Sequence, residues 1–173
     1  MSGLTRIRVT VGMMLLAGVS LAAEGTFSVG GLSFAVPDGW TKQTPSSSMR
    51  KAQLSAPGKD DATAAEVTFF FFGKSGGSIE ANKRRWLGQF EKRSDDKDES
   101  KTVNGLTILY VSTKGTFMSG PPFGQKVAKP GYGLLGAIVQ GSEGNVFVKM
   151  TGPAETTDAA TAAFKKMVEG SAK

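Results

Sequence analysis

The run Val67–Phe72 (VTFFFF) is apolar on both sides of any strand that it forms, apart from one threonine. A strand of this kind needs cover on both of its faces. Leu106–Ser112 and Tyr132–Gln140 have the same character, and Asn145–Thr151 follows them. By contrast, Arg50–Ala56 (RKAQLSA) alternates strictly, which indicates a half-exposed strand near the edge of the same sheet.

Two segments carry apolar residues at helical spacing. The first follows Ser78, a predicted N-cap, and the second ends at Gly170, a predicted helix stop. Their apolar stripes are Ile79, Trp86, Leu87 and Phe90 in the first, and Ala160, Ala163, Phe164, Met167 and Val168 in the second. Short turns at 103–106 and 141–144 favour antiparallel neighbours. The predicted fold is therefore α/β (α+β): an α/β/α sandwich with a mostly antiparallel central sheet and one helix on each face.

Residues 1–22 have the composition of a secretory signal peptide. Arg6 and Arg8 precede an apolar run that ends in small residues, with Ser20 and Ala22 placed for cleavage before Ala23. Cleavage one residue later and an uncleaved anchor are the alternatives. No later stretch approaches the ~20 apolar residues of a transmembrane helix. We expect a periplasmic or secreted protein without an integral membrane span, in which residues 23–173 form a single globular domain.

The chain contains neither histidine nor cysteine. This excludes Ser-His-Asp and Cys-His catalysis, thiol redox chemistry and ordinary zinc or copper sites. The 21 Lys and Arg against 15 Asp and Glu are a mild cationic excess, which is no evidence for nucleic-acid binding. The predictions are therefore no catalytic residue, no cofactor, no metal and no nucleic acid.

Gly73-Lys74-Ser75 resembles the end of a phosphate-binding P-loop. That motif requires a glycine at position 68, where this chain has Thr68, and a loop where this chain has phenylalanines. The prediction is a turn in which Gly76-Gly77 reverse the chain into the helix capped by Ser78.

Two charged segments invite functional interpretations. Ser94–Ser100 (SDDKDES) resembles a calcium loop, but Lys101 and Thr107 stand where that loop needs glycine and glutamate. It is predicted to be a solvated polar loop. A basic helix surface is predicted to be solvent-facing, with a specific anionic partner as the alternative; it comprises Lys83, Arg84, Arg85, Lys92 and Arg93.

The stretch Gly115–Tyr132 has no periodicity and is rich in glycine and proline, although it carries large apolar residues. A loop of this length is uncommon unless it is functional or disordered. One interpretation is a loop that folds back and tucks its side chains into the sheet edge. The other is a loop that binds a ligand or partner through Phe117, Met118, Phe123, Lys126 and Lys129.

The segment LSFAVPDGW, Leu32–Trp40, resembles the F-x-x-P-x-G-W opening of PsbP-like proteins, the fold shared by the extrinsic photosystem II subunit and the Ran-binding Mog proteins. The order of predicted elements is similar. Residues 76–153 also resemble small bacterial exported proteins through GGSIEANKRRWLGQFE, NGL, GYGLLGAI and TGP. The resemblance implies a PsbP-like fold and a non-catalytic role, and it transfers no functional residue.

The leading hypothesis is a non-catalytic exported module, a monomer that binds or assembles an unknown envelope protein or small ligand. The alternative is a small envelope hydrolase or carbohydrate-active protein that uses carboxylates such as Glu66 or Glu80.

Overall fold

The computed structural model describes residues 25–121 and 123–172, and the predicted signal peptide lies outside these ranges. The elements run in the order β1 (Thr26–Val29), β2 (Leu32–Ala35), β3 (Thr41–Gln43), β4 (Arg50–Ala56), β5 (Ala65–Phe71), α1 (Ile79–Leu87), β6 (Phe90–Val103), β7 (Leu106–Ser119), β8 (Val127–Gly141), β9 (Gly144–Pro153) and α2 (Ala154–Gly170). This order of strands, helix, strands and terminal helix agrees with the sequence prediction.

Seven strands form one antiparallel sheet in the order β3-β4-β5-β9-β8-β7-β6, and β1 and β2 form a separate hairpin. The strands that contain the apolar runs, β5, β9, β8 and β7, are adjacent in the interior of the sheet, as strands that need cover on both faces should be. The chain thus has a mixed α+β fold with two helices and a large antiparallel sheet. No helix in the described part of the chain is both long enough and apolar enough to cross a membrane.

Successive residues of β8 alternate between two hydrophobic clusters. Leu135, Ala137 and Val139 belong to the first cluster, whereas Leu134 and Ile138 belong to the second. The first cluster takes Phe164, Met167 and Val168 from α2, together with Phe34, Val36 and Trp40 from the N-terminal segment. The second cluster takes Trp86 from α1, Phe90 from β6 and Phe147 from β9.

The turn prediction at the end of β5 is confirmed. Gly73–Ser75 form a single turn of 3₁₀ helix, and the Ser78 Oγ accepts a hydrogen bond of 3.2 Å from the Ala81 N–H at the start of α1. The helix ends at Leu87, earlier than its apolar pattern indicated, and Phe90 already belongs to β6.

Two segments predicted as loops are strands. Ser94–Ser100 lies within β6, an edge strand whose side chains from Glu91 to Thr102 are all exposed. Such a strand has no apolar face, so hydrophobic periodicity cannot reveal it. The stretch Gly115–Tyr132 is the far end of the β7–β8 hairpin, whose strands end at Ser119 and begin again at Val127.

Candidate functional site

The far end of the β7–β8 hairpin, Gly115–Tyr132, is called the hairpin arm below. Its strands pair from Gly115 opposite Tyr132 to Ser119 opposite Val127, with a register shift just before Phe117. The β6–β7 ladder ends at Phe117, and the β8–β9 ladder ends at Tyr132. The arm therefore extends as two strands beyond the seven-stranded sheet.

The base of the arm is held by stacked aromatic rings. Phe117 lies with its ring centroid 5.2 Å from that of Phe90 and 6.1 Å from that of Tyr132. The Lys129 ammonium lies 5.4 Å from the Tyr132 ring, within the range of a cation–π interaction. The Met118 N–H donates a hydrogen bond of 2.8 Å to the Gln89 carbonyl. These contacts fix the base against β6 and the chain that follows α1.

The tip of the arm presents apolar side chains to solvent. Phe123 is fully exposed and Val127 is 61% exposed, and they account for two of the four exposed large hydrophobic residues in the described part of the chain. The exposed Lys126 folds back, because its ammonium donates to the carbonyls of Gly120 and Pro121.

The five predicted binding residues thus divide between the two ends of the arm. Phe117 and Lys129 lie at the base, Phe123 and Lys126 lie at the tip, and Met118 is half-buried between them. For Phe117, the interpretation of a side chain tucked against the sheet matches its packing. A binding role for these residues stays a prediction.

Lys149 is a further residue of interest, which the sequence interpretation did not single out. It lies on β9, where its ammonium donates a hydrogen bond of 3.0 Å to the Gln89 Oε1 and lies 5.8 Å from the Phe117 ring. Burial lowers the pKa of Lys149 to about 8; Glu66 acts to raise it, while Arg50 and Arg85 lower it further. The available signal was a single cation in the otherwise apolar strand NVFVKMT.

The chain superposes on the solution structure of cyanobacterial PsbP (CyanoP) from Synechocystis sp. PCC 6803 with a TM-score of 0.56, over 91% of this chain and 95% of that one, at 11% sequence identity. The chain has a PsbP-like fold. This confirms the fold that the segment Leu32–Trp40 implied, and at this identity it speaks to the fold alone.

A crystal structure of PA94, a Pseudomonas aeruginosa protein of unknown function, is also similar to this chain. Its TM-score is 0.47, at 13% identity over 84% of this chain and 93% of that one, which is too low to carry an argument. A scan of protein-family profiles and a search of curated proteins both gave no match to the chain.

The two carboxylates named for a hydrolase occupy different places on the PsbP-like fold. Glu66 on β5 forms an ion pair of 2.5 Å with Arg50, and with Asp61 it lines a shallow depression along β3–β5. Glu80 is exposed in the first turn of α1. A catalytic role for either carboxylate stays a prediction, and the ion pair already occupies Glu66.

A polar cleft of about 270 Å³ separates α2 of the PsbP-like fold from β6 and β7. Lys114 bonds to Asp158 and Lys165 bonds to Glu99, each at 2.7 Å. The hydrogen bond from Lys165 lowers the pKa of Glu99. These pairs join α2 to the edge of the sheet, so this cleft is better suited to positioning the helix than to binding a charged ligand.

Proposed function

We propose that this protein is a non-catalytic exported module that binds or assembles a protein of the cell envelope, and that the tip of the hairpin arm is its contact surface. The observation that carries the proposal is the contrast within the arm between a packed base and an exposed apolar tip. Under this proposal, residues 1–22 direct export and are removed, and the mature chain is a periplasmic or secreted monomer.

The geometry of the arm supports a protein partner. Aromatic side chains dominate the energy of many protein interfaces when they enter a pocket on the partner. Phe123 presents a whole phenyl ring, and Val127 adds a second apolar side chain beside it. Because Phe117 and Tyr132 already order the base, binding at the tip would cost less conformational entropy than ordering a free loop.

The layer arrangement is part of the same proposal. The placing of Trp86 in one cluster and Phe164 in the other supports an α/β/α sandwich with one helix on each face. In that arrangement, the arm extends past the last paired residues of the β6–β7 and β8–β9 ladders.

Site-specific photo-crosslinking tests the contact surface. A photoreactive amino acid at Phe123 in the full chain, expressed in the native cell, should give a discrete adduct with an envelope protein. The matched control is the same amino acid at Met49, which is 60% exposed but lies outside the arm. The adduct partner, once identified and purified, should bind the wild type and lose about tenfold or more in affinity for Phe123→Ser.

Equal crosslinking from Phe123 and Met49, or unchanged affinity of the purified partner for Phe123→Ser, would contradict the proposed surface. The export half of the proposal is tested separately by the mass of the protein recovered from the periplasmic or secreted fraction. Cleavage before or after Ala23 is expected, and full-length protein in the membrane pellet would contradict it.

A further inference from the structure

Strands β4, β5 and β9 carry a set of polar residues on the side that faces the second cluster. On β5 and β9, Val67, Phe69, Val148 and Met150 point into the first cluster, so the residues between them point to the opposite side. We name these residues, with two from β4, the polar stripe: Arg50, Gln53, Glu66, Thr68, Lys149 and Thr151.

Helix α1 lies next to this stripe. The Trp86 indole lies directly on Gly136, where an added Cβ would come within 2.3 Å of the ring. Gly136 pairs with Lys149, and the next row of the sheet on this side contains Leu134, Thr151 and Glu66. Lys149 is therefore the member of the polar stripe that lies next to the part of this side covered by α1, and we call this position the boundary.

Two groups on this boundary have unused hydrogen-bonding capacity. An ammonium has three donors, and Lys149 uses one of them on Gln89. The Thr151 Oγ1 is buried and finds no hydrogen-bond partner within residues 25–121 and 123–172. A buried polar atom without a partner costs free energy, and the two residues are adjacent on the same side of β9. The Lys149 ammonium can only donate, and the Thr151 hydroxyl can donate or accept, so an acceptor placed between the two residues could satisfy both groups.

The charges around the stripe favour an anionic acceptor. Glu66 is the acid that acts on the charge of Lys149, but its carboxylate is bound to Arg50. Arg50 and Arg85 both add positive charge near Lys149, and desolvation of an ammonium with so little compensation is what holds its pKa near 8. An incoming anion would supply the missing counter-charge.

We propose that Lys149 and Thr151 form a binding site for the carboxylate of a small ligand, with the ring of Phe117 beside it. The carboxylate oxygens accept from the Lys149 ammonium and from the Thr151 hydroxyl, which satisfies both groups. A monoanion fits better than a phosphate dianion, because Glu66 lies in the same row of the sheet as Thr151 and repels additional negative charge. This site goes beyond the proposed partner-binding tip and does not depend on it.

Lysine-resolved NMR tests the site on the full mature chain. With ¹³C-labelled lysines, the pH titration of the Lys149 Cε signal is followed with sodium acetate, sodium benzoate or sodium phosphate, at ionic strength matched with sodium chloride. Acetate and benzoate should raise the pKa of Lys149 saturably, because a bound carboxylate stabilises the ammonium. The ring of Phe117 should make benzoate the tighter probe.

Two variants and a control complete the experiment. Lys149→Met should weaken benzoate binding by about tenfold or more, and Thr151→Val, which keeps the shape of the side chain, should weaken it severalfold. Lys166→Met, an exposed position on α2, should leave it unchanged. Binding to the variants is read from the methyl and amide signals around Phe117, and retained dispersion of the spectrum shows that each variant is folded.

The expected dissociation constant for these small carboxylates is in the millimolar range, so binding should approach saturation by about 0.1 M. The proposal fails if the Lys149 signal in the wild type shows no saturable response up to that concentration. It also fails if only phosphate produces the response, or if Lys149→Met binds benzoate as tightly as the wild type does.

Discussion

The two hydrophobic clusters of this fold are closed in different ways. The first contains 21 buried residues of the described chain, and its cover comes from the long helix α2 and from the N-terminal hairpin. The second contains five, and its helical cover is the nine-residue helix α1, which contributes Trp86. The hairpin arm and the polar stripe lie next to the residues that α1 covers.

This difference separates structural residues from residues available for binding. A closed apolar cluster has no surface left for a ligand, and nearly every change in it costs stability. At the margin of the second cluster, Phe117, Tyr132 and Lys149 are only half-buried, so this side of the sheet is less completely enclosed than the first cluster.

The largest expected effect lies in the first cluster. Phe164→Ala removes a ring that is completely buried between α2 and the sheet, and it should lower the free energy of unfolding by about 3–5 kcal/mol. Urea denaturation measures this value. Lys166→Ala, an exposed site on the same helix, should change it by no more than about 0.5 kcal/mol. Similar losses of unfolding free energy for Phe164→Ala and Lys166→Ala would contradict the conclusion that the first cluster is fully enclosed.

A smaller effect is expected at the base of the arm, where Phe117 is half-buried. Phe117→Ser should cost about 2 kcal/mol, because only part of the ring is withdrawn from water and stacked on its neighbours. Thermal unfolding should show a clear decrease in Tm. Phe123→Ser is the matched control on the same arm and should leave Tm nearly unchanged; a comparable loss at both positions would make the tip structural.

The smallest effect is a pH dependence at Lys149. A lysine whose folded pKa is about 8, below its unfolded value, loses its proton first in the folded state, so stability rises as pH increases through that value. We expect a gain of about 1–2 kcal/mol between about pH 8 and pH 10 for the wild type, discounted for the partial exposure of the side chain.

Lys149→Met should lack this rise and be more stable than the wild type near neutral pH. The comparison is restricted to the range below about pH 10, where Tyr110 is mostly protonated in the unfolded chain as well and contributes little. The pKa of Tyr110 is raised by burial and by Glu169, so above that range it lowers stability as pH increases. Parallel stability curves for the wild type and Lys149→Met would contradict the assignment.

The sequence predicted the centre of the sheet and missed its margin, for physical reasons. The apolar runs in β5, β7, β8 and β9 identify these strands, because burial on both sides imposes apolar residues at nearly every position. Edge strand β6 carries no such constraint. In the arm, the apolar pattern is broken by a bulge at Gly115, where a Cβ would lie 2.6 Å from the Glu91 carbonyl oxygen.

The candidate site was only partly predictable for a similar reason. Large apolar residues in an apparent loop single out Phe117 and Phe123 as candidates. Phe117 is packed and Phe123 is exposed because the β6–β7 and β8–β9 ladders end before the tip of the arm, and the local sequence does not reveal where those ladders end. Lys149 and Thr151 are candidate site residues because Lys149 bonds to Gln89, whereas the Thr151 hydroxyl has no partner in the described part of the chain. Their setting also depends on Glu66, which lies on a strand about 80 residues earlier in the chain. Local patterns do not contain that information.

The chain has two tryptophans, and one lies in each cluster: Trp40 in the first and Trp86 in the second. Each cluster therefore contains its own fluorophore. Replacing Trp40 by phenylalanine leaves Trp86 as the single tryptophan, so tryptophan fluorescence then reports local unfolding around α1 without a contribution from the first cluster. Because Trp86 lies against Gly136, opposite Lys149 on the neighbouring strand, its emission would also report on events at the open margin without any added label.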